Sequence, residues 1–466
     1  MRRGKLKRPA FAAAASGVTL TLTLALVACA GGGDGNGAGE SPEPADLEGQ
    51  TIRVLVSSGH QQFNPVWDRL GEFEQETGIT VELDEVGTVD IEGTFLRDVT
   101  AGGCTYDAVE MLDGALPGAA QHMADLGAFL DRDGSSPEEL LSRHVGWAEG
   151  AMTYDDQLKY HPYYSGSKAI AYRQDLFANP DNQAAFEERY GYPLPVPPET
   201  PEQIVDVAEF FTGNGTEYGI VFSGQGDSAE TTVADLIFRH GVVGYQDEQG
   251  NALWGPEHTE NQEIVADAAT WITDFVRKGH APSEVTAMAT GEATSFYTDG
   301  RAAMIYDHIY LPWAQFNAEN VTSRIGPSGS FEPPNFAEDG SGIVFFWGYG
   351  IPECADAQDA GWEFITWLMT EENLQLALSE GEGVFVPTDL EPLEWATAEN
   401  LIPEGVAQTV ENSQPYRITT ATGRIRQAVN IPLVEQLFQG QLSPEEYART
   451  SGQAIQEEAE ASGVVD

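Results

Sequence analysis

The chain has 466 residues and a formal net charge of −51, with 74 acidic against 23 basic side chains. That length exceeds what one hydrophobic core ordinarily supports, so two domains or lobes are expected. Acidic residues spread through the whole chain repel nucleic acid and anionic lipid, which argues against both as partners. A solvated acidic shell suited to high salt or alkaline surroundings accounts for the charge. No EF-hand spacing and no His/Cys cluster marks a metal site, and no cofactor motif stands out.

The N-terminus opens on Arg2, Arg3, Lys5, Lys7 and Arg8, followed by the apolar stretch Val18 to Val27. That stretch is too short for a stable membrane span. It ends Leu26-Val27-Ala28-Cys29, which resembles a bacterial lipobox. In such a leader the signal, residues 1–28, is cut off before Cys29, and the Cys29 thiol carries the lipid. The alternative is an ordinary secretory signal with an incidental cysteine; the Arg2-Arg3 pair lacks the rest of a twin-arginine motif. Residues 29–50 hold the lipidated Cys and a Gly-, Ser-, Pro- and acid-rich stretch without apolar periodicity, a flexible tether. A soluble body is therefore expected outside the cytoplasm, lipid-anchored to the outer face of the cell membrane. Cys104 and Cys354 are the other two cysteines, and export permits a disulfide between them.

In the body, Thr51–Val56 reads as a first strand. Asn64-Pro65 is a helix start, with Val66, Trp67, Leu70 and Phe73 on one face and Gly78 as the stop. Ile79–Leu83 is a second strand, so the chain opens βαβ and a mostly parallel sheet is expected. Helix Phe95–Ala101 and strand Tyr106–Met111 follow, then Leu112-Asp113-Gly114 and a helix near Pro117–Met123. Pro137–Leu141 is a short helix capped by Ser135-Ser136. Lys159–Phe177 is an extended segment entering a new region. Helix Pro201–Thr212, strand Tyr218–Phe222, the polar loop Ser223–Ser228, and helices Ala229–His240 and Ile264–Arg277 come next. The loop lacks the Gly-Lys-Ser/Thr of a P-loop. Thr298–Trp313 is a turn, a short apolar strand (Ala302–Tyr306) and an exit carrying Asp307, His308, Tyr310 and Trp313, the way an α/β sheet presents ligand groups at its edge. Ile343–Ile351 is an apolar-aromatic strand and Ala357–Met369 a helix, continued by Glu371–Ser379. Glu435–Phe438, Pro444–Thr450 and Gln453–Ala461 close the chain as helices.

Several motifs stand in an order that resembles the extracellular solute-binding proteins of ABC importers, in the family 1 group typified by maltose- and oligosaccharide-binding proteins. They are Phe73-Glu-Gln-Glu-Thr-Gly-Ile-Thr-Val81, Tyr106-Asp-Ala-Val109, Ala171-Tyr-Arg-Gln-Asp-Leu-Phe177, Gly300-Arg-Ala-Ala-Met304, Gly348-Tyr-Gly-Ile-Pro352, Gly383-Val-Phe-Val-Pro387 and Phe438-Gln-Gly-Gln-Leu-Ser-Pro-Glu-Glu446. Gly-Arg replaces the family's usual Gly-Lys, and Arg-Gln-Asp its Asn-Lys-Asp. The resemblance implies an α/β, two-lobed periplasmic-binding-protein-like fold (type II) with a hinge and an interlobe ligand cleft. It places residues 51–164 and 301–347 in lobe 1, and 165–300 and 348–466 in lobe 2, with the C-terminal helices able to pack back on lobe 1. By the family pattern the chain leaves lobe 1 near Pro162–Lys168, returns near Gly300 and crosses again near Phe346–Pro352. Cys354 would then lie near a crossing, where a bond to Cys104 would restrain closure; this argues against the disulfide.

What the resemblance implies functionally is a monomeric binding component that captures a sugar by hinge closure and delivers it to membrane permease subunits. Sugar clefts combine flat aromatic faces with polar groups that bond hydroxyls. The expected ligand-binding residues are His60, Gln61, Asp113, Asp307, Tyr310 and Trp313 in lobe 1. The crossings contribute Tyr163, Tyr164 and Trp347, and lobe 2 contributes Gln225, Asp227, Glu382 and Arg417. Each has a plainer reading: Trp313 and Trp347 as core, Tyr163 and Tyr164 as hinge packing, Asp113 as a helix cap, His60 as solvated loop. Trp362 and Trp367 sit at core spacing and read as structural. The rivals are the same fold holding an amino acid, polyamine or peptide, an exported glycoside hydrolase, and a receptor without transport. The chain has no Gly-x-Ser-x-Gly elbow and no His-Glu-x-x-His, and chance carboxylate pairs in so acidic a chain decide nothing.

Overall fold

The computed structural model describes residues 47–58, 64–87, 90–381 and 386–465. Strand Thr51–Ser57 (β1) runs parallel to Thr80–Val86 (β2) and to Ala108–Leu112 (β3). The helix between β1 and β2 is specified locally. Asn64 accepts from the Val66 N–H at 3.1 Å, Pro65 opens the turn, and Gly78 stops helix Leu70–Thr77 at φ 74°, where a Cβ would be strained.

The hairpin Thr153–Tyr154 (β4) and Gln157–Leu158 (β5) precedes His161–Ser167 (β6). The later strands are Ala169–Arg173 (β7), Tyr218–Phe222 (β8), Ala302–Asp307 (β9), Ser328–Phe331 (β10), Val344–Gly350 (β11) and Val386–Pro387 (β12). The first lobe's sheet has the order β12-β6-β11-β3-β1-β2, and the second lobe's is β10-β7-β9-β8. Strands β6, β7, β9 and β11 are buried along their whole length, as strands covered on both faces must be. In the second lobe Thr200 caps helix Pro201–Phe211, which packs on β8.

Only Lys168 separates β6 from β7, so this one residue links the two sheets. The chain returns between β10 and β11. After β12, helix Glu404–Asn412 packs on β6, β7 and β10, touching both sheets. Helices Ile431–Phe438 and Pro444–Ala461 then pack on Gly226–Arg239 and Gln262–Arg277 in the second lobe.

These pairings redraw the expected boundaries. The crossing near Pro162–Lys168 is found at Lys168. The return near Gly300 is not: β9 pairs antiparallel with β7 and parallel with β8, so Thr298–Trp313 stays in the second lobe. Phe346–Pro352 is not a crossing either, because β11 lies between β3 and β6 along its length. Helix Gln358–Leu368 follows β11 back onto β1 and β3, so residues after 348 begin in the first lobe, and the last helices pack on the second lobe rather than the first. An all-apolar strand such as Ala302–Tyr306 satisfies either sheet; helix Thr290–Thr298, packed on β8 and β9, selects the second.

Cys104 and Cys354 are bonded, with Cα atoms 5.8 Å apart. Cys354 does not stand at a crossing, where such a bond would restrain closure. It follows β11 and Cys104 precedes β3, adjacent strands of one sheet, so the bond staples the first lobe and leaves the junction free. The Cys29 segment, like the rest of residues 1–46, lies outside the described residues. No helix among the described residues is long and apolar enough to cross a membrane.

Candidate functional site

Two buried ionic clusters stand where the lobes meet. The first fixes the link. Lys168 donates to Asp307 at 3.1 Å and to the carbonyl and hydroxyl of Ser228 at 2.9 and 2.7 Å. Asp307 ends β9 and also accepts from the His308 N–H at 2.7 Å and from the hydroxyls of Ser223 and Ser228. Burial pushes its carboxyl up, but Lys168, His308 and the hydroxyls outweigh that and hold it at about 2. Burial lowers the Lys168 ammonium despite Asp307 beside it. The ionised carboxylate is the firmer assignment, since donors converge on both of its oxygens. Tyr310 follows on the same exit. A Cβ on Gly166 would lie 2.3 Å from its hydroxyl oxygen, so glycine at that point of β6 admits the Tyr310 ring from the opposite lobe.

The second cluster surrounds Arg426, on the π-helix Ile425–Asn430, a local widening often found at functional sites. Its guanidinium lies 3.0 Å from Asp227, 3.3 Å from Glu230 and 3.7 Å from Asp113. Asp227 and Glu230 come from the first turns of helix Gly226–Arg239, whereas Asp113 leaves the end of β3 in the first lobe. The cluster therefore bridges the lobes. Tyr245 donates to Glu230 at 2.7 Å. Burial raises the Asp113 carboxyl to about 6, more than Arg426 and the Gly114 N–H lower it. Asp227, whose side chain is 52 % exposed, stays below the usual carboxylate range: partial burial raises it, and Arg426, His308 and Lys168 more than offset this.

Two cavities lie along this seam. One, of about 220 Å³, is lined by Glu92, Leu112, Asp113, Gly114 and Ala115 of the first lobe and by Thr420, Gly423, Arg424, Arg426, Gln427 and Ala428. The other, of about 150 Å³, is lined by Trp147, Ala151, Tyr154, Val344 and Phe346 on one side and Pro415, Tyr416, Arg417 and Ile418 on the other. Ile418 lines the second cavity and Thr420, two residues on, lines the first, so the two are neighbours along the seam and together form a groove, one part aromatic and one ionic. Each is smaller than the roughly 300–1,000 Å³ of ordinary ligand clefts. A larger cavity of about 580 Å³, lined by Asp125, Glu138, His144, Glu149 and Asp156 among others, lies wholly on the first lobe and cannot respond to closure. Among the described residues no group of three or more His, Cys, Asp or Glu could hold a metal ion.

The sequence-derived candidates separate against this geometry. Asp113, Asp227 and Arg417 lie at the groove. Gln225 is exposed and immediately precedes the helix that carries Asp227. Asp307 and Tyr310 are buried at the junction of the lobes, and belong to the second lobe rather than the first. Trp347 is buried and stacks on Tyr164 at 4.6 Å, and Tyr164 donates to Glu110 inside the first lobe. Tyr163 is core: Asn64 donates to its hydroxyl, and it packs edge-on against Tyr349. Trp313 is core of the second lobe, donating its indole N–H to the Asn400 carbonyl at 3.1 Å, and it lines neither cavity. His60, Gln61 and Glu382 lie outside the described residues. Trp362 is buried and Trp367 packs partly buried on the first lobe's core, as their spacing implied. Sequence reasoning missed Trp147, Tyr154, Phe346, Tyr416, Glu230 and Arg426. The available signal was Thr422-Gly-Arg-Ile-Arg426, two scarce cations flanking an irregular turn in an acidic chain.

Residues 69–397 match the model of a family described as bacterial extracellular solute-binding protein. The chain belongs to that family. No curated protein matches its sequence closely enough to report. Among solved structures, this binding protein superposes on the sugar-binding protein MalE of Xanthomonas citri with a TM-score of 0.69 and 15% identity, covering 88% of this chain and 98% of that one. Maltose-bound MalE3 of T. maritima gives 0.66 and 17%, covering 87% and 98%. The GacH receptor of Streptomyces glaucescens, solved free and with acarbose, gives 0.67 and 17%, covering 88% and 98%. At these identities the likeness establishes the two-lobed fold alone.

Proposed function

We propose that this binding protein captures a carbohydrate between its lobes and delivers it to the membrane subunits of an ABC importer. The observation that carries the reading is the composition of the groove. Aromatic side chains of Trp147, Tyr154, Phe346 and Tyr416 adjoin polar groups on the buried Asp113 and Arg426 and on the half-exposed Asp227, contributed by both lobes. Aromatic faces cover the C–H face of a sugar ring, and ionised groups bond its hydroxyls with charge assistance. Because Asp113 and Arg426 stand on opposite lobes, a ligand bonded to both favours the closed arrangement over the open one. Sugar ligands in the named structural neighbours support the same class. The lipobox-like leader adds an anchor: Cys29 carries a lipid that holds the body at the outer face of the membrane, and residues 47–50, expected in the tether, belong to the body, since Leu47 packs on the core and the Gly49 N–H donates to the Gly78 carbonyl.

The experiment is a thermal-shift screen of the chain lacking residues 1–29 against a panel of glycans, amino acids and polyamines. A ligand that binds only the native state raises the melting temperature, by about 2.7 kcal/mol of stabilisation at a hundredfold excess over its dissociation constant. At least one glycan is expected to shift the melt. A shift with an amino acid or polyamine and with no glycan would overturn the carbohydrate reading.

A further inference from the structure

The carboxylates around Arg426 outnumber it. Asp113 and Glu230 are 0 % and 1 % exposed, so they are not part of the solvated acidic shell that sets the chain's overall charge. Asp227 is the third, and Glu92 lines the same cavity. The other nearby cations are already engaged. Arg424 turns to Glu458 at 2.8 Å and to Ser462 at 2.6 Å, and Lys168 is held by Asp307. His308 supplies no charge near neutral pH, because burial lowers it to about 3. A buried carboxylate in excess is unfavourable unless it takes a proton or gains a counter-charge, and a cation at this interlobe cavity would supply the second.

Two oxygens in the cluster lack a donor. Asp113, a residue of the cavity lining, turns Oδ1 to the Gly114 N–H and toward Arg426, leaving Oδ2 buried and without a partner. Asn430, 2 % exposed, donates through Nδ2 to Glu230 and leaves Oδ1 bare. The Asn430 amide oxygen only accepts, and so does Asp113 Oδ2 when the carboxylate is ionised. The site is short of positive charge and of donors together.

We propose that the ligand is an amino sugar, or an oligosaccharide containing one, whose ammonium group seats beside Asp113 and Asp227. The proposal rests on the carbohydrate reading above and narrows it. An ammonium supplies charge and up to three donors at one point; a hydroxyl supplies a donor and leaves the charge excess standing. An acidic sugar would meet repulsion from the same carboxylates. The sugar ring then lies against Tyr154 and Tyr416 in the adjoining aromatic cavity.

Isothermal titration calorimetry on the full chain tests this. The probes are glucosamine, galactosamine and their short oligomers, each compared with its N-acetylated and unsubstituted counterpart near neutral pH. The amine-bearing member of at least one series is expected to bind roughly tenfold or more tightly than its neutral counterparts. Asp113→Asn and Asp227→Asn are expected to remove that preference, the second being a half-exposed position where folding is not at risk. Neutral sugars binding as well as or better than the amines would overturn this inference and leave the carbohydrate reading intact. Failure of every sugar to bind would overturn both.

Discussion

Asp113 and Asp307 are both buried carboxyls at strand ends, and their surroundings drive them in opposite directions. Donors converge on both oxygens of Asp307, whereas Asp113 keeps one oxygen bare and relies on Arg426 at 3.7 Å. The consequence for Asp113 has a definite sign. A carboxyl raised from 3.8 to about 6 carries no stability penalty below its ordinary value, and the penalty is complete above about 6. Asp113→Asn cannot ionise. Relative to the parent protein it is expected to gain stability as pH rises through that window, on the order of 2–3 kcal/mol in full. Urea unfolding at several pH values across the window measures this; a stability difference that does not change with pH would refute the buried, under-bonded state of Asp113. The residue itself was legible in the sequence, as the polar exit of a strand. Its partner was not, because Arg426 lies more than three hundred positions later and no local pattern joins the two.

A local cap signal acts where it stands: the Ser135-Ser136 pair implied a helix start, and the cap is found on Ser136. Ser136 caps Pro137–Leu141 and Thr200 caps Pro201–Phe211, each through a side-chain oxygen bonded to a backbone N–H three residues on. Thr370 instead divides the expected long helix after Ala357 into Gln358–Leu368 and Glu371–Glu380, its extended backbone interrupting the turn pattern. The disulfide acts at this scale. It closes a loop across a sequence separation of 250 residues but joins neighbouring strands of the first sheet. Cys104→Ser with Cys354→Ser is expected to lower stability by about 2–5 kcal/mol while leaving ligand affinity within about twofold. A large loss of affinity at temperatures where the variant remains folded would place the bond in the closing motion after all.

For the molecule as a whole, the link through Lys168, the return before β11 and helix Glu404–Asn412 tie the two sheets together beside the groove. Attachment to the membrane belongs to this scale too. If Cys29 bears the lipid, Cys29→Ala is expected to move the protein from the membrane fraction of producing cells to the soluble fraction or medium; retention of the variant on the membrane would defeat the anchor reading. The sequence by itself determined the α/β class, the order of most elements and the ordered motifs of the solute-binding family. All of these rest on periodicity, caps and composition over a few turns of chain. Only the tertiary structure decided that β9 and the Asp307–Trp313 exit belong to the second lobe, that Trp313 is core, that the cysteines meet beside adjacent strands of one sheet, and that Arg426 faces Asp113. An apolar strand buries equally well in either sheet, and a buried charge is explained only by what lies across from it, so these outcomes depend on pairings between residues far apart in the chain.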